Sequence, residues 1–401
     1  MKFYVIGITD HPQPWFPPDV EELIGRGHIF SGGRRHHDIM ADRLPKGAVW
    51  IDITVPLDAV FEQYRTHDEI IVFASGDPLF FGFAATLQRR LPEARLQVFP
   101  APNSLQMLAH RCLIPYDDMH IVSLTGRPWH ELDRALMSHT AKIGVLTDRQ
   151  HTPTTIAQRL MDYGYGDYTM WVGEHLGNPQ QERVVSLSLK EAASATFDLP
   201  NCLILWARNG LPPRRMGIPD AEFELLDGRE RMITKMPIRL LSLQALELPR
   251  RTVLWDVGFC TGSVSIEAAL QFPHLHIHSF EVREEGRRLM DVNTRRFGAV
   301  GIEVSICDFL SKDLTALPRP DAVFIGGHGG RLKEMMTQIC GVLTVGGCIV
   351  MNSVTEQSRL YFEAACDALR LSRCPSLHVA LNDYNPIDIL KAEKTTSKCL
   401  A

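Results

Sequence analysis

Apolar residues in this chain fall into short runs, separated by stretches in which they recur every three or four positions. The runs predict strands at Phe3–Ile8, Ala48–Ile51, Glu69–Ala74, Leu96–Phe99, His120–Ser123, Ile143–Thr147, Thr169–Gly173 and Cys202–Ala207. Helical spacing lies between them, as in Leu79–Leu91 and Thr154–Tyr163. The periodicity stops at Arg208–Pro219, where Pro and Gly cluster as in a linker. It resumes with strands at Val253–Asp256, His276–Glu281, Glu303–Cys307, Ala322–Ile325, Cys348–Asn352, Leu377–Leu381 and Pro386–Lys391. This alternation predicts two α/β domains with largely parallel sheets, over 1–208 and 220–401, joined by a linker at 209–219.

Composition narrows the class only modestly. The 401 residues are 45% hydrophobic and 22% charged, which fits globular domains with ample cores. A net charge of −5 gives no global basic field for nucleic acid, and no apolar run reaches the length of a membrane span. Nucleic-acid and membrane partners are therefore not expected. The nine cysteines contain no C-x-x-C pair and read as reduced thiols of a cytoplasmic protein, without a structural metal.

The second block carries a Gly loop after its first strand, Asp256-Val-Gly-Phe-Cys-Thr-Gly-Ser, leading into a helix. Gly258 and Gly262 allow close backbone approach, with Asp256 and Thr261 beside them, and a helix N-terminus faces whatever binds there. The order acid-x-Gly-x-x-x-Gly differs from the dinucleotide G-x-G-x-x-G. It is closer to the first motif of S-adenosylmethionine (SAM) methyltransferases. The second strand ends in Glu281, placed to accept from ribose hydroxyls, and the third in Cys307-Asp308-Phe309, near an adenine. The fourth ends in Gly326-Gly-His-Gly-Gly, and Thr234 and Lys235 precede a helix upstream. Taken singly, Glu281 is also readable as a solvated acid, His328 as a turn filler, and Lys235 and Arg239 as surface charges.

Ile233-Thr-Lys-Met-Pro-Ile-Arg, the Asp256 loop, Phe324-Ile-Gly-Gly-His-Gly-Gly and Asn352-Ser-Val-Thr-Glu together resemble the C-terminal half of the decarboxylating precorrin-6Y C(5,15)-methyltransferase family. The resemblance covers roughly 218–392 and implies a Rossmann-like class I SAM-dependent methyltransferase fold. Cys260 departs from it, standing where many relatives carry Gly.

The first block has its own turn, Phe73-Ala-Ser-Gly-Asp-Pro-Leu-Phe-Phe-Gly, which on its own is also a strand-to-helix turn capped by Asp77. With Pro100-Ala-Pro-Asn-Ser-Leu-Gln, Leu146-Thr-Asp-Arg-Gln-His-Thr-Pro and Val172-Gly-Glu-His-Leu-Gly it resembles the tetrapyrrole methylase family over about 1–208. Gly32-Gly-Arg-Arg-His is similar to that family's corrin C-5 methylating branch. The resemblance implies two α/β subdomains and a SAM cleft lined by Ser75, Gly76, Asp77, Phe80, Asn103, Ser104, Thr147 and Gly177. The family's Gly-x-Gly-Pro-Gly-Asp loop is here Gly7-Ile-Thr-Asp-His-Pro, which leaves the neighbouring loop open to question.

The family resemblance implies methylation of a precorrin at carbons 5 and 15, and decarboxylation of its C-12 acetate, with two SAM sites. The electron-rich macrocycle is itself the carbon nucleophile and the electron sink, so neither metal nor pyridoxal is implied. Proton transfer points to His328 and Glu356 in one half and His36, His37 or Asp38 in the other. The substrate's carboxylates suit Arg34, Arg35, Lys235, Arg239 and Arg331. A homo-oligomer is expected. A methyltransferase acting on another small molecule or RNA, and a SAM-sensing scaffold without catalysis, are the competing readings.

Overall fold

The apolar runs pair into three sheets in a computed structural model that describes residues 1–229, 232–382 and 384–395. The chain divides into two compact units. One comprises Met1–Pro128, Ala141–Arg159 and Asp167–Gly210; the other comprises Trp129–Thr140, Leu160–Gly166 and the chain from Leu211 onward.

The first unit holds two five-stranded sheets. In one, Val49–Asp52, Ile29–Gly32, Glu69–Ser75, Lys2–Ile8 and Arg95–Phe99 lie in that order and are all parallel. In the other the order is His120–Ser123, Lys142–Leu146, Asn201–Trp206, Thr169–Glu174 and Arg183–Ser188. Only its first pair is parallel and the rest are antiparallel, which corrects the expectation of largely parallel sheets here. Continuous apolar runs usually accompany parallel strands, but here antiparallel strands are buried along their length and carry the same signature.

Two strands of the first unit escape the hydrophobic pattern. In Ile29–Gly32 Ser31 is buried, its hydroxyl 2.7 Å from the Ile51 carbonyl and 2.6 Å from the Tyr64 hydroxyl. Arg183–Ser188 is a half-exposed edge. The helix expected from Leu79 begins at Phe83, because residues 78–82 form a turn in which the Ala84 amide donates to the Pro78 carbonyl.

The sheet of the second unit runs Glu303–Ile306, His276–Glu281, Val253–Val257, Ala322–Ile325, Cys348–Ser353, Ile387–Glu393 and Ser372–Arg373. The first five are parallel; Ile387–Glu393 is antiparallel and also pairs with Leu377–Val379. The strand order reverses between Val253–Val257 and Ala322–Ile325, and an open parallel sheet has its ligand crevice at such a point. The helix Ser263–Gln271, which follows the Gly loop, is buried on every side. Its Glu267 accepts from the amides of Gly217 and Ile218, fixing part of the expected linker.

Seven cysteines are free thiols. Cys340 is disulfide-bonded, a departure from the expected reduced state. Cys399 lies outside the described residues. Among the described residues no helix is long and apolar enough to cross a membrane. Among them also, no group of three His, Cys, Asp or Glu is placed to hold a metal.

Candidate active sites

A cavity of about 940 Å³ opens at the carboxyl ends of the parallel strands in the second unit. Its floor depends on glycine. Gly258 has φ +79°, and a Cβ on it would lie 2.7 Å from the Gly327 amide nitrogen. A Cβ on Gly326 would lie 2.7 Å from the Gly258 carbonyl oxygen. The loops after the strands Val253–Val257 and Ala322–Ile325 therefore touch backbone to backbone, and no side chain fits between them.

Polar groups without partners face this floor. Asp256 is fully buried; one carboxyl oxygen accepts from the Ser265 hydroxyl at 2.5 Å and the other has no partner. Burial, with a smaller contribution from the Glu281 charge, raises its pKa to about 7 against the hydrogen bond from Ser265. The Thr261 hydroxyl and the Asn352 amide nitrogen, on two other residues lining the cavity, are also buried without partners. Buried polar atoms normally have a partner, so this cluster marks a place built for a polar ligand.

Glu281 accepts from the Cys260 amide at 2.9 Å and from the Val282 amide at 3.0 Å, tying the Gly loop to the next strand. Cys260 itself has φ +52°, where a Cβ is strained.

Most of the C-terminal candidates line this cavity: Thr234, Lys235, Asp256, Gly258, Thr261, Glu281, Asp308, Phe309, His328 and Arg331. Asp308 and Arg331 pair with each other at 2.9 and 3.1 Å, which holds the Asp308 carboxyl below its ordinary range. The Nδ1 of His328 accepts from the Gly330 amide at 3.2 Å. Partial burial lowers its pKa, so the ring is neutral and presents Nε2–H. In that form it is a hydrogen-bond donor rather than a base.

Three candidates fall elsewhere. Gly262 (φ +77°) bends the chain into the helix and packs against Met290, outside the lining. Glu356 is exposed in the first turn of Glu356–Leu369, 3.6 Å from Arg359 and outside the cavity. Arg239, expected to meet substrate carboxylates, is buried completely. Its guanidinium donates to Glu267 (3.3 Å), Asp220 (3.2 Å), the Thr234 carbonyl (2.9 Å) and the Ile218 carbonyl. It braces the Thr234 segment from behind and has no face toward the cavity.

In the first unit, the turn Ser75–Asp77 is locked between two neighbouring strand ends. The Gly76 amide donates to the Ile8 carbonyl and the Ala101 amide to the Gly76 carbonyl. A Cβ on Gly7 would stand 1.9 Å from the Gly76 carbonyl oxygen, so the altered first loop keeps the glycine that this contact requires. Gly177 (φ +94°) packs on Thr9, bringing the second sheet's turn to the first loop. Asn103 caps the helix Ser104–Cys112 by accepting from the Gln106 amide at 2.9 Å. The side chain of Asp77 accepts from the Leu79 amide, and that of Thr147 bonds Asn201. Phe80 packs against the core cluster that contains Leu105 and Trp171.

A cavity of about 340 Å³ lies beside this turn. Of the expected N-terminal groups it is lined by Arg35 and Asp38; the eight SAM candidates do not line it. Arg34 is exposed and His37 stacks on Trp50 at 4.3 Å. Arg35 donates to Asp10 at 3.0 Å and to the Ser75 hydroxyl at 2.7 Å. His36 is a poor base. Its Nδ1 accepts from the Gly33 amide at 3.2 Å, so its Nε2–H donates to Ser75 at 3.0 Å. Burial, and then the Arg35 charge, push its pKa down to about 4.

Two residues absent from the sequence-derived set complete this network. Asp10 accepts from Arg35 with one oxygen and lies 3.0 Å from His175 Nδ1 with the other. Asp10 stands two residues past the strand Lys2–Ile8 and His175 directly past Thr169–Glu174, each within a motif the sequence had shown without marking either residue. In the larger cavity, Tyr384 was equally unforeseen; the Lys235 ammonium lies 5.0 Å from its ring centre.

Comparison with known proteins places these two regions in families. Residues 226–372 match the family described as "Precorrin methyltransferase domain". Residues 17–193 match "Tetrapyrrole (Corrin/Porphyrin) Methylases". A precorrin-6Y C(5,15)-methyltransferase [decarboxylating] of Sinorhizobium sp is 32% identical over 88% of this chain and 84% of its own length. A cobalt-precorrin-6B C(15)-methyltransferase (decarboxylating) of Salmonella typhi is 40% identical over 42% of this chain and 93% of its own. A cobalt-precorrin-7 C(5)-methyltransferase of Salmonella typhimurium is 27% identical over 50% of this chain and 97% of its own. The chain belongs to the family of decarboxylating precorrin-6Y C(5,15)-methyltransferases.

Proposed function

We propose that this chain methylates a precorrin at carbons 5 and 15 and decarboxylates its C-12 acetate, using a SAM site in each unit. The reading assigns carbon 15 and the decarboxylation to the Gly258–Gly326 cavity, and carbon 5 to the cleft beside Ser75. It rests above all on the backbone contact of Gly258 with Gly327, surrounded by buried polar groups that lack partners.

The residues present fit SAM. The Gly floor leaves room for its amino-acid end, Asp256 and Thr261 offer an acceptor and a hydroxyl, and Glu281 stands where a ribose is held. When bound, SAM supplies an electrophilic methyl on a sulfonium. This chain's residues orient the macrocycle carbon against it and exclude water, which contributes on the order of 7–11 kcal/mol in well-aligned cases. The Lys235 ammonium and His328 Nε2–H are placed to bind a substrate carboxylate. Arg331 joins them on exchanging its partner Asp308. The conjugated macrocycle accepts the electrons released with CO₂, so the proposal invokes no metal.

The test is mass spectrometry of a precorrin-6-type substrate incubated with SAM and the full chain. The expected product has gained two methyl groups and lost CO₂. Absence of SAM binding by calorimetry overturns the cofactor assignment, and SAM binding with an unchanged substrate overturns the substrate.

A further inference from the structure

Replacing hydrogen by methyl at a macrocycle carbon leaves a proton to be removed, and His36 cannot take it because both of its ring nitrogens are engaged. We propose that His175, oriented by Asp10, is the proton acceptor for methylation in the first unit. This rests on the assignment of carbon 5 to that unit.

The argument is one of tautomers. Asp10 lies against the Arg35 guanidinium at 3.0 Å, so it is a carboxylate with only acceptor capacity. Its other oxygen is 3.0 Å from His175 Nδ1, which must then be the donor. In its neutral form the ring therefore carries its hydrogen on Nδ1 and an open lone pair on Nε2. His175 lines the cavity, together with Asp10 and Arg35. Asp38 also lines it, but is exposed and has no group orienting it among the described residues.

The backbone supports a fixed role. His175 has φ +46°, an uncommon value for a residue with a side chain. That conformation is held by its amide donating to the Pro200 carbonyl at 2.9 Å. The next turn is held by Glu182, which accepts from the Gly177 amide at 2.6 Å and pairs with Arg111 at 2.5 Å. These contacts hold the His175 backbone, and with it the ring, in one place.

The step balances. The new carbon–carbon bond forms from the macrocycle's electron pair as the donor's sulfur–methyl bond breaks, with that pair staying on sulfur. The C–H pair at the methylated carbon then returns to the conjugated system, and the proton passes to Nε2. The resulting imidazolium is stabilised by the Asp10 carboxylate, which stays ionised.

The test uses the full chain, SAM and a precorrin-6-type substrate, with carbon-5 and carbon-15 products resolved by NMR. His175→Gly removes the base, relieves the positive φ and leaves space for free imidazole. The expected result is a fall of about a hundredfold in carbon-5 methylation. Carbon-15 methylation and SAM affinity stay unchanged, and added imidazole restores much of the lost rate. Retained carbon-5 methylation, or no recovery with imidazole, overturns the assignment to His175. If wild type methylates other carbons and never carbon 5, the functional reading fails instead. Nitrogen-15 NMR of His175 reads the tautomer independently of turnover: a hydrogen on Nε2 rather than Nδ1 also overturns the assignment.

Discussion

The two candidate sites are built by opposite means. In the second unit, backbone does most of the work: two glycine turns meet at the sheet's reversal point, and acids stand at the ends of adjacent strands. In the first unit, a chain of side chains, His175, Asp10, Arg35, Ser75 and His36, does the organising. The first design tolerates almost no added atoms at a few positions. The second shares that intolerance at Gly7 and Gly76, but beyond them it depends on each charge keeping its partner.

The sharpest way to break this contrast is Gly258→Val. A Cβ there meets the Gly327 backbone at 2.7 Å, where neither loop can yield cheaply. Strain of up to ~3 kcal/mol predicts a loss of about a hundredfold or more in carbon-15 methylation and decarboxylation. Carbon-5 methylation, followed in the same product mixture, is expected to stay. An equal loss of both would show that the sites do not act separately.

Charge burial gives the next contrast. Arg239→Ala leaves Glu267 buried with its cation removed, which predicts a loss of ~3–5 kcal/mol. In calorimetry the second unit's transition falls by roughly 10 °C. Arg35→Ala, at a partly exposed pair, costs only about 1 kcal/mol and shows mainly in carbon-5 turnover.

Proton linkage separates the sites more gently. Burial raises the Asp256 pKa from 3.8 to about 7. Its neutral form is thus favoured in the folded protein, and the stability this confers is lost as pH rises from 3.8 to about 7. A cationic ligand favours the ionised form, so SAM affinity at this site should tighten roughly tenfold between about pH 6 and 8. Titration calorimetry of Asp256→Asn should lose that slope. An unchanged slope would place the titrating group elsewhere.

The smallest effect expected is a gain. Cys260→Gly relieves a side chain at φ +52° and should add ~1 kcal/mol, a few degrees in the melting temperature, with little change in methylation. A marked loss of carbon-15 methylation would give the Cys260 side chain a role at the cofactor.

Much of the second site was legible from the chain. Gly258, Glu281 and Asp308 occur in the order of successive parallel strands, and right-handed crossovers bring those strand ends to one edge. Arg239 misled because a cation beside a helix start looks the same whether it faces solvent or Glu267, 28 positions away. The first site was legible only as loops. Asp10 and His175 meet across 165 positions and two sheets, and no local pattern encodes such a pair.

Strand positions, the Gly turns and the family were determined by local pattern, because apolar runs and turn chemistry act over a few residues. Strand direction in the second sheet, the burial of Arg239 and the tautomers of His36, His175 and His328 were decided only by the tertiary structure. These depend on which partner occupies the space beside each group, and that partner is supplied by the folded chain.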